Sequence, residues 1–442
     1  MDHVRLATRL FDGPSRSFAV QLWDGLVLAP RSDGAVRGKV VVRSPRAVEA
    51  LIPPASERRL VEAFLEGDIE LEGETIALLE AVARWEGPRP VPSLAASAIA
   101  ARLRGALEGA RARTAEAHLR GRAHSVRRDR DAVRHHYDLS DDFYRLFLDR
   151  EMVYSCGFFP TGSETLEEAQ RAKLELVCRK LHLQRGDRLL DVGCGWGALL
   201  AHAALHHGAS GLGITLSQNQ LAEARRRFAR LGAGVHLEAQ AADYRTVRSD
   251  PPFDEVASVG MMEHVGRERL DGYFGAVQRM LRPGGLFLNH AIADCSGVHT
   301  VPWTSRRNGG FIDRYIFPDG DLVPVGMVVQ AAERAGFEVR DLESLREHYA
   351  ETLAAWLGRL EARLAEAEEL VGRERARAYR LYLASSAAAF RLGRVSVFQL
   401  LLAKRGEDGR AEGVPRNRAD WYRGAPASAP AVPAGRPASR SE

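Results

Sequence analysis

Between Leu181 and Leu288 the chain alternates short apolar runs with longer stretches whose apolar residues recur at helical spacing. Arg188–Val192, Gly211–Thr215, Val235–Ala239, Glu255–Val259 and Gly285–Asn289 predict strands, and Leu199–His207, Gln218–Leu231 and Leu270–Leu281 predict the helices between them. Alternation of this kind builds an α/β domain whose mostly parallel sheet is covered by helices on both faces. Residues 355–391 predict helix and Val395–Leu402 a last strand. Upstream, Ser17–Leu22 and Lys39–Val42 alternate with period two, and helical patterns follow at Arg59–Phe64 and Thr75–Trp85. Residues 1–92 therefore read as a small α+β domain, broken off by Pro88, Pro90 and Pro92. Ser93 then caps an expected helix in which Ile99, Leu103 and Leu107 recur every four positions, so residues 93–134 read as an amphipathic helix and linker. Residues 135–405 form the main domain. From 406 to 442 Pro, Ala, Gly and Arg dominate, and a disordered tail is expected.

Composition changes this picture in few places. A chain of 442 residues, 45% hydrophobic and 27% charged, has room for two domains and a sizeable core. The net charge is 62 − 58 = +4, and only four of the basic residues are Lys, a bias toward Arg to which we give little functional weight. One local excess stands out: ten Arg against four acids between Arg102 and Arg134. It reads either as a solvated face or as a basic segment resting on anionic lipid. Nucleic acid is disfavoured, because the stretch has no aromatic side chains for stacking. The four cysteines lack CxxC or metal-ligand spacing, which suits free thiols in a reducing compartment. The adjacent pairs His135-His136 and His206-His207 do not face one site, so surface positions and no metal are expected. The Met1-Asp2-His3 start has no charged-then-apolar leader, and no apolar run reaches about 18 residues, which argues for a soluble cytoplasmic chain.

The candidate chemistry begins at Leu189-Leu190-Asp191-Val192-Gly193-Cys194-Gly195-Trp196-Gly197, which follows a predicted strand and opens a helix. Gly193, Gly195 and Gly197 permit a tight turn and close backbone approach to a ligand at the carboxyl edge of the sheet. The spacing is GxGxG, not the GxGxxG of dinucleotide binding, and with Asp191 just ahead it has the form of an S-adenosylmethionine-binding turn. Where an acid would receive the ribose hydroxyls the second strand ends in Thr215, so Thr215 and Gln220 are assigned that role, and Asp243 the adenine amino group. Asp250-Pro251-Pro252-Phe253 looks like the tetrapeptide of amino-group methyltransferases acting on nucleic acids. It precedes the fourth strand instead of ending it, and reads as a loop.

His136-Tyr137-Asp138-Leu139-Ser140-Asp141-Asp142-Phe143-Tyr144 and Met152-Val153-Tyr154-Ser155-Cys156-Gly157-Phe158-Phe159 resemble the opening of the cyclopropane-fatty-acyl-phospholipid synthase family. The resemblance continues through 214–220, 258–266, 288–292, 314–320 and 348–356, spanning about residues 135–405 in the family's order. It implies a class I S-adenosylmethionine-dependent methyltransferase, Rossmann-like, with a smaller N-terminal α+β lipid-binding domain. The implied reaction moves a methylene, derived from the S-adenosylmethionine methyl, onto a cis double bond of an unsaturated phospholipid acyl chain. A buried base is then needed to take a proton from the former methyl group. In the family that base is bicarbonate, and the matching positions here are Cys156, Glu263, His290, Ile292 and Tyr349. Backbone N–H groups and the His and Tyr side chains would hold the anion, while Glu263 orients His290 or accepts the proton. Tyr154, Ser155 and Leu216 join the implied cofactor contacts, and Phe158, Phe159, Tyr273 and Tyr315 are candidate aromatic faces for a developing cation.

The resemblance further implies peripheral attachment to the inner face of the cell membrane and a homodimer. The segments 308–314 and 321–326 depart from the usual family form and are similar to a relative that methylenates oleoyl chains, with a reductase as partner. Cyclopropanation and methylenation therefore both stay open, as does a catalytically inactive lipid-binding protein.

Overall fold

The computed structural model describes residues 3–12, 15–32, 37–51, 57–85, 116–117, 119, 121–137, 139–232, 234–295, 310–406, 408–411 and 415–422. The helix expected after Ser93 lies outside them. The N-terminal region forms a small α+β unit. Its sheet has the order β2-β1-β3-β4, from β1 (Ala19–Gln21), β2 (Val27–Leu28), β3 (Gly38–Val42) and β4 (Ile69–Gly73). Sequence periodicity is too short to reveal β2 or β4, each set by pairing with its neighbour.

The main sheet has seven strands: β5 (Arg188–Val192), β6 (Ser210–Thr215), β7 (Leu237–Ala241), β8 (Phe253–Val259), β9 (Leu281–Asp294), β10 (Phe337–Ser344) and β11 (Val395–Lys404). Their order is β10-β11-β9-β8-β5-β6-β7; β9 through β7 run parallel, while β11 is antiparallel to both its neighbours. From β5 the chain moves outward to β6 and β7, then returns to β8 on the other side of β5. This reversal opens a crevice at the carboxyl ends of β5 and β8, where open α/β sheets bind ligands. Helices cover both faces, so the central strands are apolar on both sides: Leu189, Leu190 and Val192 of β5 and Phe287 and Leu288 of β9 are all buried. Asp191, Glu255, Ser258, Asn289, His290 and Gln399 are among the polar residues buried in these strands.

Some boundaries differ from the sequence expectation. The third strand begins two residues later, at Leu237. The helix after the glycine turn is α-helical only over Ala198–His202 and continues as a π-helical turn over Ala203–His207. Helix Val126–Tyr137 runs through residue 134, and its Arg128 pairs with Asp319 at 2.5 Å, so this guanidinium is spent within the fold. Part of the expected disordered tail is also ordered. Trp421 is buried with the Lys180 ammonium 5.3 Å from its ring centroid, and Tyr422 donates to Glu343 at 2.7 Å. These are the two aromatic residues of 406–442, and their rings bring apolar area to bury. Among the described residues no helix is long and apolar enough to cross a membrane.

The two units are welded by charge. Arg377 and Arg380, on helix Arg373–Arg391 of the main domain, both reach Glu70 of β4, at 2.7 and 2.6 Å. Arg377 also donates to the Phe64 carbonyl and Arg380 to the Leu71 carbonyl, each at 2.8 Å.

Candidate active site

At the carboxyl end of β5 the chain turns through Gly193, Gly195 and Gly197, with φ of +84°, +54° and +84°. L side chains adopt such values only with strain, which explains the glycines there. Asp191, Gly193 and Gly195 line a cavity of about 150 Å³ together with Tyr154, Ser155, Thr215, Leu216, Gln220 and Asp243. Nine of the ten expected cofactor contacts are thus brought together. Gly197 is the exception. It precedes helix Ala198–His202, and a Cβ there would lie 2.8 Å from the Phe228 ring, so it serves helix packing.

Within the cavity Thr215 Oγ1 donates to Gln220 Oε1 at 2.8 Å, fixing the pair assigned to the ribose. Ser217 caps helix Gln218–Arg230 by accepting from the Gln220 N–H. Asp243 accepts from both the backbone N–H and the side chain of Arg245, which also reaches Asp129 of the helix lying over the cavity. Burial pushes the Asp191 carboxyl up to about 7, against the opposing pull of the Lys173 ammonium. Lys173 is itself buried; desolvation brings it down to about 8, and it donates to Ser155 Oγ at 2.9 Å. The polar surfaces, the close-approach glycines and the enclosing walls fit a cofactor with ribose and amino-acid ends.

A smaller cavity of about 50 Å³ adjoins this one, sharing Tyr137, Tyr154, Ser155, Gly260 and His264 with it. All five residues assigned to the bicarbonate site line it: Cys156, Glu263, His290, Ile292 and Tyr349. His290 lies on β9 directly opposite Gln399 on β11. Gln399 Nε2 stands 3.2 Å from His290 Nδ1 and donates to it, leaving the ring proton on Nε2 in this amide orientation. His290 Nε2 is buried with no hydrogen-bond partner, as is the Tyr154 hydroxyl. Desolvation, with the fields of Lys173 and Lys180, brings the imidazole down to about 3, so it stays neutral. Glu263 Oε1 accepts from the Ile292 N–H at 2.8 Å, and the Glu263 carbonyl from the Asp321 N–H. Burial keeps the Cys156 thiol and the Tyr349 phenol protonated. The His290 Nε2–H and the Tyr154 hydroxyl are unpartnered donors that fit the acceptor atoms of a small anion.

Three corrections follow. The residue that orients His290 is Gln399, not Glu263. Phe158, Phe159, Tyr273 and Tyr315 do not line the small cavity; its aromatic walls are Tyr137, Tyr154, Phe317, Tyr349 and Tyr382. Phe158 instead packs on His348, and the Tyr273 hydroxyl donates to Asn289. His136, expected at the surface, is buried beneath the cavity wall, its ring stacked with Tyr154 and its Nδ1 3.2 Å from the Tyr379 hydroxyl. Position in the quoted motifs was the available signal for Tyr137, His264 and Phe317. His207 and His202 both contact Glu175, and with Cys178 they offer ligand atoms within 4.8 Å of one another, a grouping the π-helical turn creates.

The third cavity is the largest, about 490 Å³, mainly apolar, and shares Ile292, Phe317, Tyr349 and Tyr382 with the small one. Three spaces therefore adjoin in order: a polar cavity at the glycine turn, a small one ringed by protonated and aromatic groups, and a large apolar one.

A family model described as mycolic acid cyclopropane synthetase matches residues 124–400. The chain is 39% identical over 413 residues to a probable fatty acid methyltransferase of Pseudomonas putida, covering 91% of this chain and 96% of that protein. Among solved structures it is similar to the cyclopropane synthase MmaA2 of Mycobacterium tuberculosis, with TM-score 0.60 and 36% identity over 62% of this chain and 98% of that one. The mycolic acid cyclopropane synthase CmaA1 complexed with SAH and CTAB gives TM-score 0.58 at the same identity and coverage.

Proposed function

The chain belongs to the mycolic acid cyclopropane synthetase family of S-adenosylmethionine-dependent lipid methyltransferases, and on that premise we propose that it acts on the cis double bond of unsaturated phospholipid acyl chains. The product is a cyclopropane ring formed from that double bond and one carbon of the cofactor. The observation that carries the reading is the seating of Cys156, Glu263, His290, Ile292 and Tyr349 around one small cavity, flanked by the cofactor cavity and the apolar one.

When bound, S-adenosylmethionine supplies an electrophilic methyl group, and bicarbonate supplies an acceptor for the proton that must leave it. The residues do the rest. Gly193 and Gly195 bring the backbone close to the cofactor, while Asp191, Thr215 and Gln220 face its polar parts. An alkene is a weak nucleophile, so the reacting carbons must be aligned and water kept from the cationic centre. Tyr137, Tyr154, Phe317, Tyr349 and Tyr382 enclose that point and present π faces to positive charge. His290 donates through Nε2–H and, being neutral, does not compete as a cation. Glu263, anchored at Ile292, keeps a carboxylate beside the path of the departing proton. On the same reading the chain works at the inner face of the membrane as a peripheral protein, where its substrate resides.

The test is the fatty-acid profile of a host that expresses the chain and is fed oleate, read by mass spectrometry before and after mild hydrogenation. A one-carbon-heavier chain that resists hydrogenation is the expected product. One that takes up hydrogen identifies an exocyclic methylene and a need for a reductase. No new chain, with folded and cofactor-binding protein present, contradicts the reading. Glu263→Gln and His290→Ala should abolish modification while cofactor binding survives.

A further inference from the structure

The large apolar cavity is not walled by the main domain alone. Leu79, Val82 and Ala83, on helix Thr75–Arg84 of the N-terminal unit, form one side of it. The lining also includes Ile292, Phe317, Tyr349 and Tyr382, the residues shared with the reaction cavity. Polar groups line both sides of the cavity and are already engaged: Glu57 of the N-terminal unit accepts from the Phe311 N–H at 2.9 Å. Arg267 pairs with Asp321 at 2.6 Å, and the Asp321 N–H donates to the Glu263 carbonyl. Arg394, which also lines the cavity, donates to the Ala83 carbonyl. The wall is also rigidly placed. Thr75 Oγ1 donates to Glu361 of the main domain, and the Glu70 pairs with Arg377 and Arg380 hold the strand just before this helix.

Taking the acyl-chain reading above as its basis, we infer that helix Thr75–Arg84 is a specificity wall: Leu79 and Val82 bound the space for the methyl-terminal part of the substrate chain, and so help set which double bond reaches the reaction cavity. An apolar side offered by half-buried aliphatic residues suits the hydrocarbon end of a lipid, because the charged head group must keep its water. A chain whose double bond lies at the reaction cavity runs its methyl-terminal carbons through the apolar space until they meet Leu79 and Val82, and the carbons that fit between that stop and Tyr349 fix the position that is modified. The N-terminal unit on this account measures the substrate as well as accompanying the catalytic domain.

The experiment is a competition with the full chain. Vesicles carrying equal amounts of oleoyl and cis-vaccenoyl phospholipid are offered to the wild type, Leu79→Trp, Leu79→Ala and Val82→Phe. The double bond of cis-vaccenate lies two carbons nearer the methyl end. Added bulk at Leu79 or Val82 should shift the product ratio toward the cis-vaccenoyl chain by roughly tenfold, and Leu79→Ala should shift it toward oleoyl. Thermal unfolding and S-adenosylhomocysteine binding establish that each variant is folded and loaded. An unchanged or reversed ratio in such variants overturns the inference while leaving the reaction intact. Absence of product from the wild type with either lipid sinks the acyl-chain reading itself, and the wall with it.

Discussion

His290 owes its chemistry to a neighbour in the adjacent strand. Gln399 Nε2 meets its Nδ1 at 3.2 Å, which fixes the ring and leaves Nε2–H facing the small cavity. Because burial and two lysine fields bring His290 down to about 3, its protonation does not limit activity at ordinary pH. Gln399→Leu strands Nδ1 in a dry site, and a lost buried hydrogen bond predicts a fall in kcat of about ten- to a hundredfold with KM little changed. Gln399→Glu works through charge. A carboxylate beside Nδ1 favours the imidazolium and raises the His290 pKa, so the acid side of this variant's pH–rate profile should move to higher pH than the wild type's. A profile identical to wild type would contradict the positioning role. Most of the site was legible in the sequence because its side chains lie in motifs with a fixed order. Gln399 was not: it sits in the apolar run Val395–Leu402, where one amide looks incidental until β9 is laid beside it.

At the level of elements, the junction of β4 with helix Arg373–Arg391 concentrates the electrostatics that fix the N-terminal unit. Burial alone would raise Glu70, but hydrogen bonds and charge from Arg377 and Arg380 outweigh it and hold the carboxyl below its ordinary value. Glu70→Gln leaves Arg377 buried without its carboxylate, while Arg380 keeps Glu361 at 2.8 Å, so the substitution should cost about 2 kcal/mol in urea unfolding near neutral pH. The sign with pH is fixed by the lowered pKa. The stabilisation is present above the unfolded-state value and is lost as pH falls through the folded-state one, so wild type and variant should converge in acid. A constant gap across that range would contradict the assignment. These contacts were invisible in sequence because Glu70 and Arg377 are 307 positions apart. Six of the seven strands of the main domain were readable from the strand–helix alternation, whereas β2, β4 and β10 were missed. β10 is an edge strand, apolar at few positions, held by its pairing with β11.

For the whole molecule, the order of the spaces matters more than any one of them. The parallel sheet supplies a crevice by its topology, the glycine turn makes it a cofactor cavity, and the ends of β8 and β9 close the reaction chamber. The N-terminal unit then completes the apolar space beyond. The alternation of strand and helix made the first two steps legible; the third cavity was not, since its walls come from segments hundreds of residues apart. The most direct test of the central claim uses purified full chain, S-adenosylmethionine carrying a fully deuterated methyl group, and vesicles of dioleoyl phospholipid. The account predicts an acyl chain enlarged by one carbon that keeps two of the three deuteriums, the third having left to a base. A product keeping all three, or label found only on the head group, would contradict it.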